Sequence, residues 1–383
     1  MRIADIRIVG LNVTPKTNWL FLRVATESGR VGWGEATLAN HEDTLPVEVA
    51  RIARDAVGKD ARDRGVLARL LPHAPGGMAR HTAVSAFEQA LTDLAAQDAG
   101  VPIARLLGGA RRDPVTLYAN INRGTDPRTP EGFAAAARRA VAQGFRAIKL
   151  APFDGVMWED AADRAQRTHV AAGIACIAAV RDAVGPDVDV MVDCHWRFSP
   201  AGAAALIRDL APLGLYWIEC PIAEANLPDI RRLRGLANDR GMRLAGAETL
   251  AGIGAYRPLV ETGAYDVLMP DMKHAGGHAE IQRIAALAHT AGIEVAPHNP
   301  TGPVCHAHSL HLCATLPNFL ILEVQFGESA LFQDCVTGAD LTFRDGAAAV
   351  PPGPGLGIAV DEALAAGRPV VPVPRPWLDP RLG

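Results

Sequence analysis

In the second half of the 383-residue chain, one short apolar run after another closes on an ionisable residue. The runs Ala147–Leu150, Val188–Val192, Leu215–Ile218, Arg243–Ala247, Val267–Met269, Ile293–Ala296 and Phe319–Leu322 deliver Lys149, Asp193 with His195, Glu219, Glu248, Asp271, His298 and Glu323 in turn. Taken singly, each carboxylate is as readily a salt-bridge partner or a helix N-cap. Asp193, Glu219 and Glu248 end three neighbouring runs, however, and three carboxylates brought together repel one another unless a cation neutralises them. The trio holds hard oxygen ligands and neither thiolate nor imidazole, which favours Mg²⁺.

Asp271 and His298 end the next two runs, so their side chains are expected to meet. A carboxylate bonded to one imidazole nitrogen fixes the tautomer and raises the basicity of the other, which makes a general base. An isolated pair of this kind would read as a helix cap and a satisfied core histidine, but beside a metal trio it reads as chemistry. The two-residue step from Asp193 to His195 puts both on one face of an extended segment, with Cys194 on the other. A protonated His195 could then donate to a leaving group. The same step relates Lys149 to Ala151 and leaves one ammonium and one small side chain on that strand, Lys149 otherwise being a structural ion pair.

Such convergence requires a particular scaffold. With Val115–Tyr118 the runs number eight, most of them spaced by one strand-plus-helix unit, and eight parallel units close into a (β/α)₈ barrel whose chemistry lies at the C-terminal strand ends. A doubly wound sheet is the competing arrangement, but no GxGxxG follows the first strand of the series. The long gap between the second and third runs calls for a longer helix or an insertion around Asp154–Thr168. Ahead of the barrel, Ile3, Ile6, Ile8, Leu20–Val24 and Val31–Glu35 read as an antiparallel meander, followed by helical spacing from Leu45 to Leu107. From about Asp340 the chain turns Pro/Gly-rich and is expected to cross back to the N-terminal unit. The expected division is a capping domain over 1–113, a catalytic barrel over 114–340 and a returning segment over 341–383.

Composition narrows the function. With 49% hydrophobic and 21% charged residues the chain can bury a large core, and 38 basic against 42 acidic residues, without a basic stripe, exclude nucleic acid as a partner. No apolar run of membrane-spanning length occurs, and the charged start carries no signal-peptide pattern. Cys176, Cys194, Cys220, Cys305, Cys313 and Cys335 form no CxxC and sit mostly in apolar segments, which suits reduced thiols and a cytoplasmic protein.

Over essentially its whole length the chain resembles the mandelate racemase subgroup of the enolase superfamily. Gly32-Trp33-Gly34-Glu35 and the Ala86–Gln97 helix resemble its capping domain, and Pro354-Gly355-Leu356-Gly357 its returning segment. Asp193–Arg197, Pro270–Gly277 and Ala296–Pro303 look closest to galactonate dehydratase and similar acid-sugar dehydratases. The resemblance implies that Asp193, Glu219 and Glu248 bind Mg²⁺, that His298 with Asp271 is the base, and that His195 expels a β-hydroxyl. It also implies that Lys149 and Glu323 flank the substrate carboxylate, Lys149 adding charge and Glu323, if protonated, a hydrogen bond. A small-molecule carboxylate, a sugar acid, is thus the expected substrate, and homo-oligomers the expected assembly. Where mandelate racemase has Lys-x-Lys, this chain has Lys149-Leu150-Ala151, which counts against a two-base racemase. Three readings stand at this point: a sugar-acid dehydratase, an epimerase or cycloisomerase using the same enolate, and a silent barrel kept for binding. Phe153, Trp196, Arg197 and the Thr14–Trp19 loop are candidates for substrate selection or for packing.

Overall fold

The computed structural model describes residues 1–63, 77–157 and 164–372, with backbone alone for 164 and 165. Strands β1 (Ile3–Thr14), β2 (Thr17–Thr26) and β3 (Val31–Glu35) form the expected antiparallel meander. Helices α1 (Thr44–Ala56), α2 (Gly77–Asp98) and α3 (Ile103–Leu106) follow, and α1 and α2 pack on the meander around Leu22, Val24, Ile52, Phe87 and Leu91. The approach of β3 to α2 explains Gly34, because a Cβ there would run into the backbone of Ala86.

The barrel strands are β4 (Val115–Asn120), β5 (Ala147–Leu150), β6 (Asp189–Asp193), β7 (Trp217–Glu219), β8 (Arg243–Gly246), β9 (Val267–Leu268), β10 (Glu294–Val295) and β11 (Leu322–Gln325). They pair in parallel in the order β10-β9-β8-β7-β6-β5-β4-β11. The ring closes through a parallel bridge between Val295 and Phe319. The eighth strand is therefore divided: residues around Phe319 pair with β10, and Leu322–Gln325 pair with β4. The sequence reading of Phe319–Leu322 as one strand stopped short, and Glu323 lies within the strand rather than after it.

Helices α4 (Pro130–Ala142), α5 (Arg164–Val184), α6 (Pro200–Leu210), α7 (Leu227–Asn238), α8 (Ile253–Thr262), α9 (His278–Thr290) and α10 (Pro303–Thr315) connect the strands. Several announce themselves locally. Thr129 and Ser199 each precede a proline and cap the next helix by accepting the N–H of Gly132 and Gly202. The 21-residue α5 fills the long gap, of which residues 158–163 lie outside the described segments.

Alternation along the strands sorts the side chains. Outward residues such as Ile148, Val190, Val192 and Ile218 pack under the helices, while Tyr118, Ala147, Met191, Trp217, Ala245 and Val267 fill the interior. One step further along, the same inward positions become Asn120, Lys149, Asp193 and Glu219. The barrel is thus plugged by an apolar layer and floored with polar groups above it. Near the C-terminal end of the described residues, Leu356 donates its N–H to Asp93 of α2, and Glu362 pairs with Arg7 and Arg23. No described helix is long and apolar enough to cross a membrane.

Candidate active site

Asp193 and Glu219 are register partners on β6 and β7, and Glu248 follows β8. One carboxylate oxygen from each lies within 4.8 Å of the others, and all three residues are buried. Glu248 Oε2 has no hydrogen-bond partner. Burial, and then the charges of Asp193 and Glu219, push the Glu248 carboxyl well above its usual range. A buried set of hard oxygens, mutually repelling and with one atom unsatisfied, fits a divalent cation.

Lys149 extends from β5 with Nζ 2.6 Å from Glu219 Oε1 and 3.0 Å from Glu323 Oε1. Burial alone would favour its neutral form, but Glu219 and Glu323 outweigh it and hold the group well above its usual value. Lys149 is therefore a fixed ammonium with no lone pair to accept a proton. Glu219 receives only part of that charge and faces Asp193, so burial raises it to about 7. Glu323 has donors all round it: Lys149, Asn120 Nδ2 at 2.6 Å and the Asn299 N–H at 2.9 Å. Burial is overcome there by Lys149 and His298, and Glu323 is held below the usual value as a carboxylate. Surrounded by these donors, Glu323 accepts and orients Lys149.

Asp271 and His298 meet as the adjacent runs predict, with Oδ2 2.7 Å from Nδ1. Asp271 also accepts from the Lys273 N–H at 2.6 Å and from Lys273 Nζ at 2.8 Å. Although buried, it is held far below the usual range by Lys273, His274 and His298. An ionised Asp271 can only accept, so the hydrogen bond places a proton on His298 Nδ1 and turns Nε2 towards the acidic cluster, 3.6 Å from Glu248 Oε2. At the other end of the trio His195 Nε2 lies 2.7 Å from Asp193 Oδ2. The two imidazoles thus approach the acidic cluster from opposite ends, and His195 is the more open, at 39% side-chain exposure.

The reason for the placement of His195 differs from the one the spacing suggested. His195 and Trp196 have φ of 45° and 55°, so the chain after Asp193 is not extended and alternation does not apply. The turn is held by the Trp196 N–H on the Cys220 carbonyl and the His195 N–H on Asp193 Oδ1. It folds the ring back onto Asp193, while Cys194 is buried.

Some participants escaped the sequence reading. Asn120 is the next inward position of β4 after Tyr118, so the same two-residue step would have found it, whereas Lys273 lies in the turn that follows Asp271, where alternation does not apply. Asn299 gives no such signal. Phe153 stacks edge-on against Phe198 at 5.1 Å, and Arg197 donates to the carbonyls of Asp154 and Val156, so both prop the loop after β5. Thr17 donates to Glu328, joining the tip of the β1–β2 hairpin to the barrel rim.

Comparison with known proteins decides the family. Residues 132–364 match the model of the enolase C-terminal domain-like family, and residues 9–108 that of the mandelate racemase / muconate lactonizing enzyme N-terminal domain. The chain belongs to the enolase superfamily. Within the superfamily it is 33% identical to a D-gluconate dehydratase of Thermoproteus tenax, over 90% of this chain and 68% of that one. It is 32% identical to a D-galactonate dehydratase of Ralstonia nicotianae, over 91% of each. Among solved structures, a mandelate racemase/muconate lactonizing enzyme from Jannaschia superposes with a TM-score of 0.86 at 26% identity, covering 97% of this chain and 98% of the other. A superfamily member from Salmonella Typhimurium gives 0.86 at 25%, over 96% and 98%.

Proposed function

We propose that the protein is a Mg²⁺-dependent dehydratase of a sugar acid, an aldonate or aldarate, with 114–340 as its catalytic domain and 1–113 with 341–383 as its cap. The observation that carries this reading is the opposed placement of the two imidazoles, His298 beside Glu248 and His195 on Asp193. Asp193, Glu219 and Glu248 would hold the metal, which supplies electrostatic stabilisation for the charge that builds on the substrate carboxylate.

The chain's own residues account for the remaining steps. His298 Nε2 takes the proton α to the carboxylate, and Asp271 stabilises the imidazolium that results. Lys149, kept charged between Glu219 and Glu323, adds a positive charge near the carboxylate. The electron pair left by the α-proton passes first into the carboxylate and, in a second step, forms the new double bond as the β C–O bond breaks. His195 gives its proton to the departing hydroxyl, water leaves, and the enol tautomerises to a 2-keto-3-deoxy acid. Ala151, in the position of a second strand lysine, offers no base for the opposite face, which favours elimination over two-base racemisation.

The names of the dehydratase relatives support a sugar-acid substrate, and the six buried, unpaired cysteines suit the cytoplasm. Homo-oligomeric assembly is part of the same proposal. The test is a panel of aldonic and aldaric acids, D-gluconate and D-galactonate first, assayed with Mg²⁺ for 2-keto acid formation. Loss of the α-proton without any 2-keto acid from the panel would replace dehydration by epimerisation.

A further inference from the structure

The strands that carry the proposed base and its partner are short, with two residues each in β9 and β10, so the ladder ends before Asp271 and His298 are reached. Support for both loops comes from the N-terminal unit. Glu35, the last residue of β3, is fully buried and accepts four hydrogen bonds. Three come from the loop after His298: Thr301 Oγ1 at 2.7 Å, the Gly302 N–H at 2.8 Å and the Cys305 N–H at 2.9 Å. The fourth comes from Thr37 Oγ1 at 2.8 Å. Gly302 is the N-cap of α10 and offers no side chain for the purpose, so Glu35 caps that helix from another unit. The fit is close: a Cβ on Gly302 would come within 3.0 Å of both Glu35 oxygens and 2.9 Å of Trp19.

Gln89 on α2 joins this cap to the other loop. Its Oε1 accepts the Glu35 N–H at 3.0 Å and its Nε2 donates to the carbonyl of Met272, next to Asp271, at 3.1 Å. Ser85 accepts the Gly276 N–H at 2.9 Å and Thr82 Oγ1 lies 2.9 Å from His274 Nδ1. Positions 82, 85 and 89 share one face of the helix, so the loop from Asp271 to Gly276 rests on a row of side chains.

We propose that Glu35 and Gln89 are positioning residues that hold Asp271 and His298 against each other, so that the capping unit sets the geometry of proton abstraction. The inference rests on the reading of His298 as the base. A carboxylate is required at 35 because all four partners donate, and a carboxamide would turn its NH₂ towards an N–H or hydroxyl donor.

The test is Glu35→Gln in the full-length, Mg²⁺-loaded protein, with D-gluconate and D-galactonate as probes. A displacement of the pair should lower kcat and exchange of the α-proton with deuterated solvent together, by about 10- to 100-fold. KM, Mg²⁺ affinity by calorimetry and the far-UV spectrum should hold, since Glu35 touches neither the acidic trio nor Lys149. Thr301→Val, which removes one of the four donors and keeps the volume, should show the same pattern more weakly. Unchanged kcat, or a loss of kcat matched by loss of Mg²⁺ affinity, overturns the proposal. His298→Asn run in parallel separates the two readings: if it retains α-proton exchange, the base assignment itself falls. A reading without substrate comes from backbone hydrogen exchange, in which Glu35→Gln should deprotect 271–278 as well as 299–306. Deprotection confined to 299–306 would show that the Gln89 link does not couple the loops, and would overturn the proposal.

Discussion

Chelation of the metal should expose the repulsion built into the trio. Two unit charges 4.8 Å apart interact by about 3–4 kcal/mol at an effective dielectric of about 20. Three carboxylates cannot all ionise against that, so the metal-free protein at neutral pH should retain at least one proton among them. The directions at Glu219, raised to about 7, and at Glu248, raised further, agree. For a carboxyl whose folded value lies above its unfolded one, ionisation opposes folding, and stability falls as pH rises through the window between the two. For Glu219, from the usual 4.5 to about 7, the cost is about 3 kcal/mol once the pH is above 7. The chelated protein should therefore lose stability as the pH rises from about 4.5 to 7, and Mg²⁺ should restore it. Titration calorimetry in two buffers of different ionisation enthalpy should show about one proton released per Mg²⁺ bound at pH 7. Glu248→Gln removes two of the three repulsive pairs, so it should flatten the pH dependence of the chelated protein while abolishing the Mg²⁺-induced rise in Tm. Buffer-independent binding heats, or a Glu248→Gln variant that still gains Tm with Mg²⁺, would refute the reasoning.

Replacement of the base, His298→Asn, should abolish both 2-keto acid formation and α-proton exchange, measured by mass spectrometry in deuterated solvent. His195→Asn should lose dehydration by about 10²–10⁴-fold while α-proton exchange survives; equal loss of both would make His195 a positioning residue or a second base. Acid should destabilise the fold through histidines buried in neutral form: burial lowers His274 and His311 to about 4 and His306 to about 3. Unfolding lets each take up a proton below about 6.5, so stability falls as pH drops from 6.5 towards 4, by about 2 kcal/mol per histidine at pH 5. Urea unfolding at pH 7 and 5 checks this, and His306→Phe should reduce the difference.

Much of the site was legible because the two-residue step of a strand is stiff: Lys149, Asp193 and Glu219 follow from the inward faces of β5, β6 and β7. The pairing of Asp271 with His298 followed from adjacent strands alone. What failed to show was whatever depended on turns or on contacts distant in sequence. The left-handed backbone at His195 breaks alternation, and no local pattern announces it. The charge state of Glu323 depends on Asn120 and Lys149, which lie far away along the chain and adjacent to it in space. Glu35 read as the end of a strand turn, because its four donors include two backbone N–H groups nearly 270 residues away.

The divided eighth strand bears on how the chain matures during synthesis. Until residues 318–325 have left the ribosome, β4 and β10 are open edges, and Lys149 has Glu219 but not Glu323. The nascent polypeptide therefore carries a nearly complete catalytic set on a sheet with two unpaired rims, the condition under which strands recruit foreign partners. Closure of the ring and completion of the Lys149 cradle are one event, and the contacts of Leu356 and Glu362 with the N-terminal unit come later still. A chain truncated shortly before residue 318 would be a species prone to self-association, and one extended past 325 a closed barrel awaiting only its final strap.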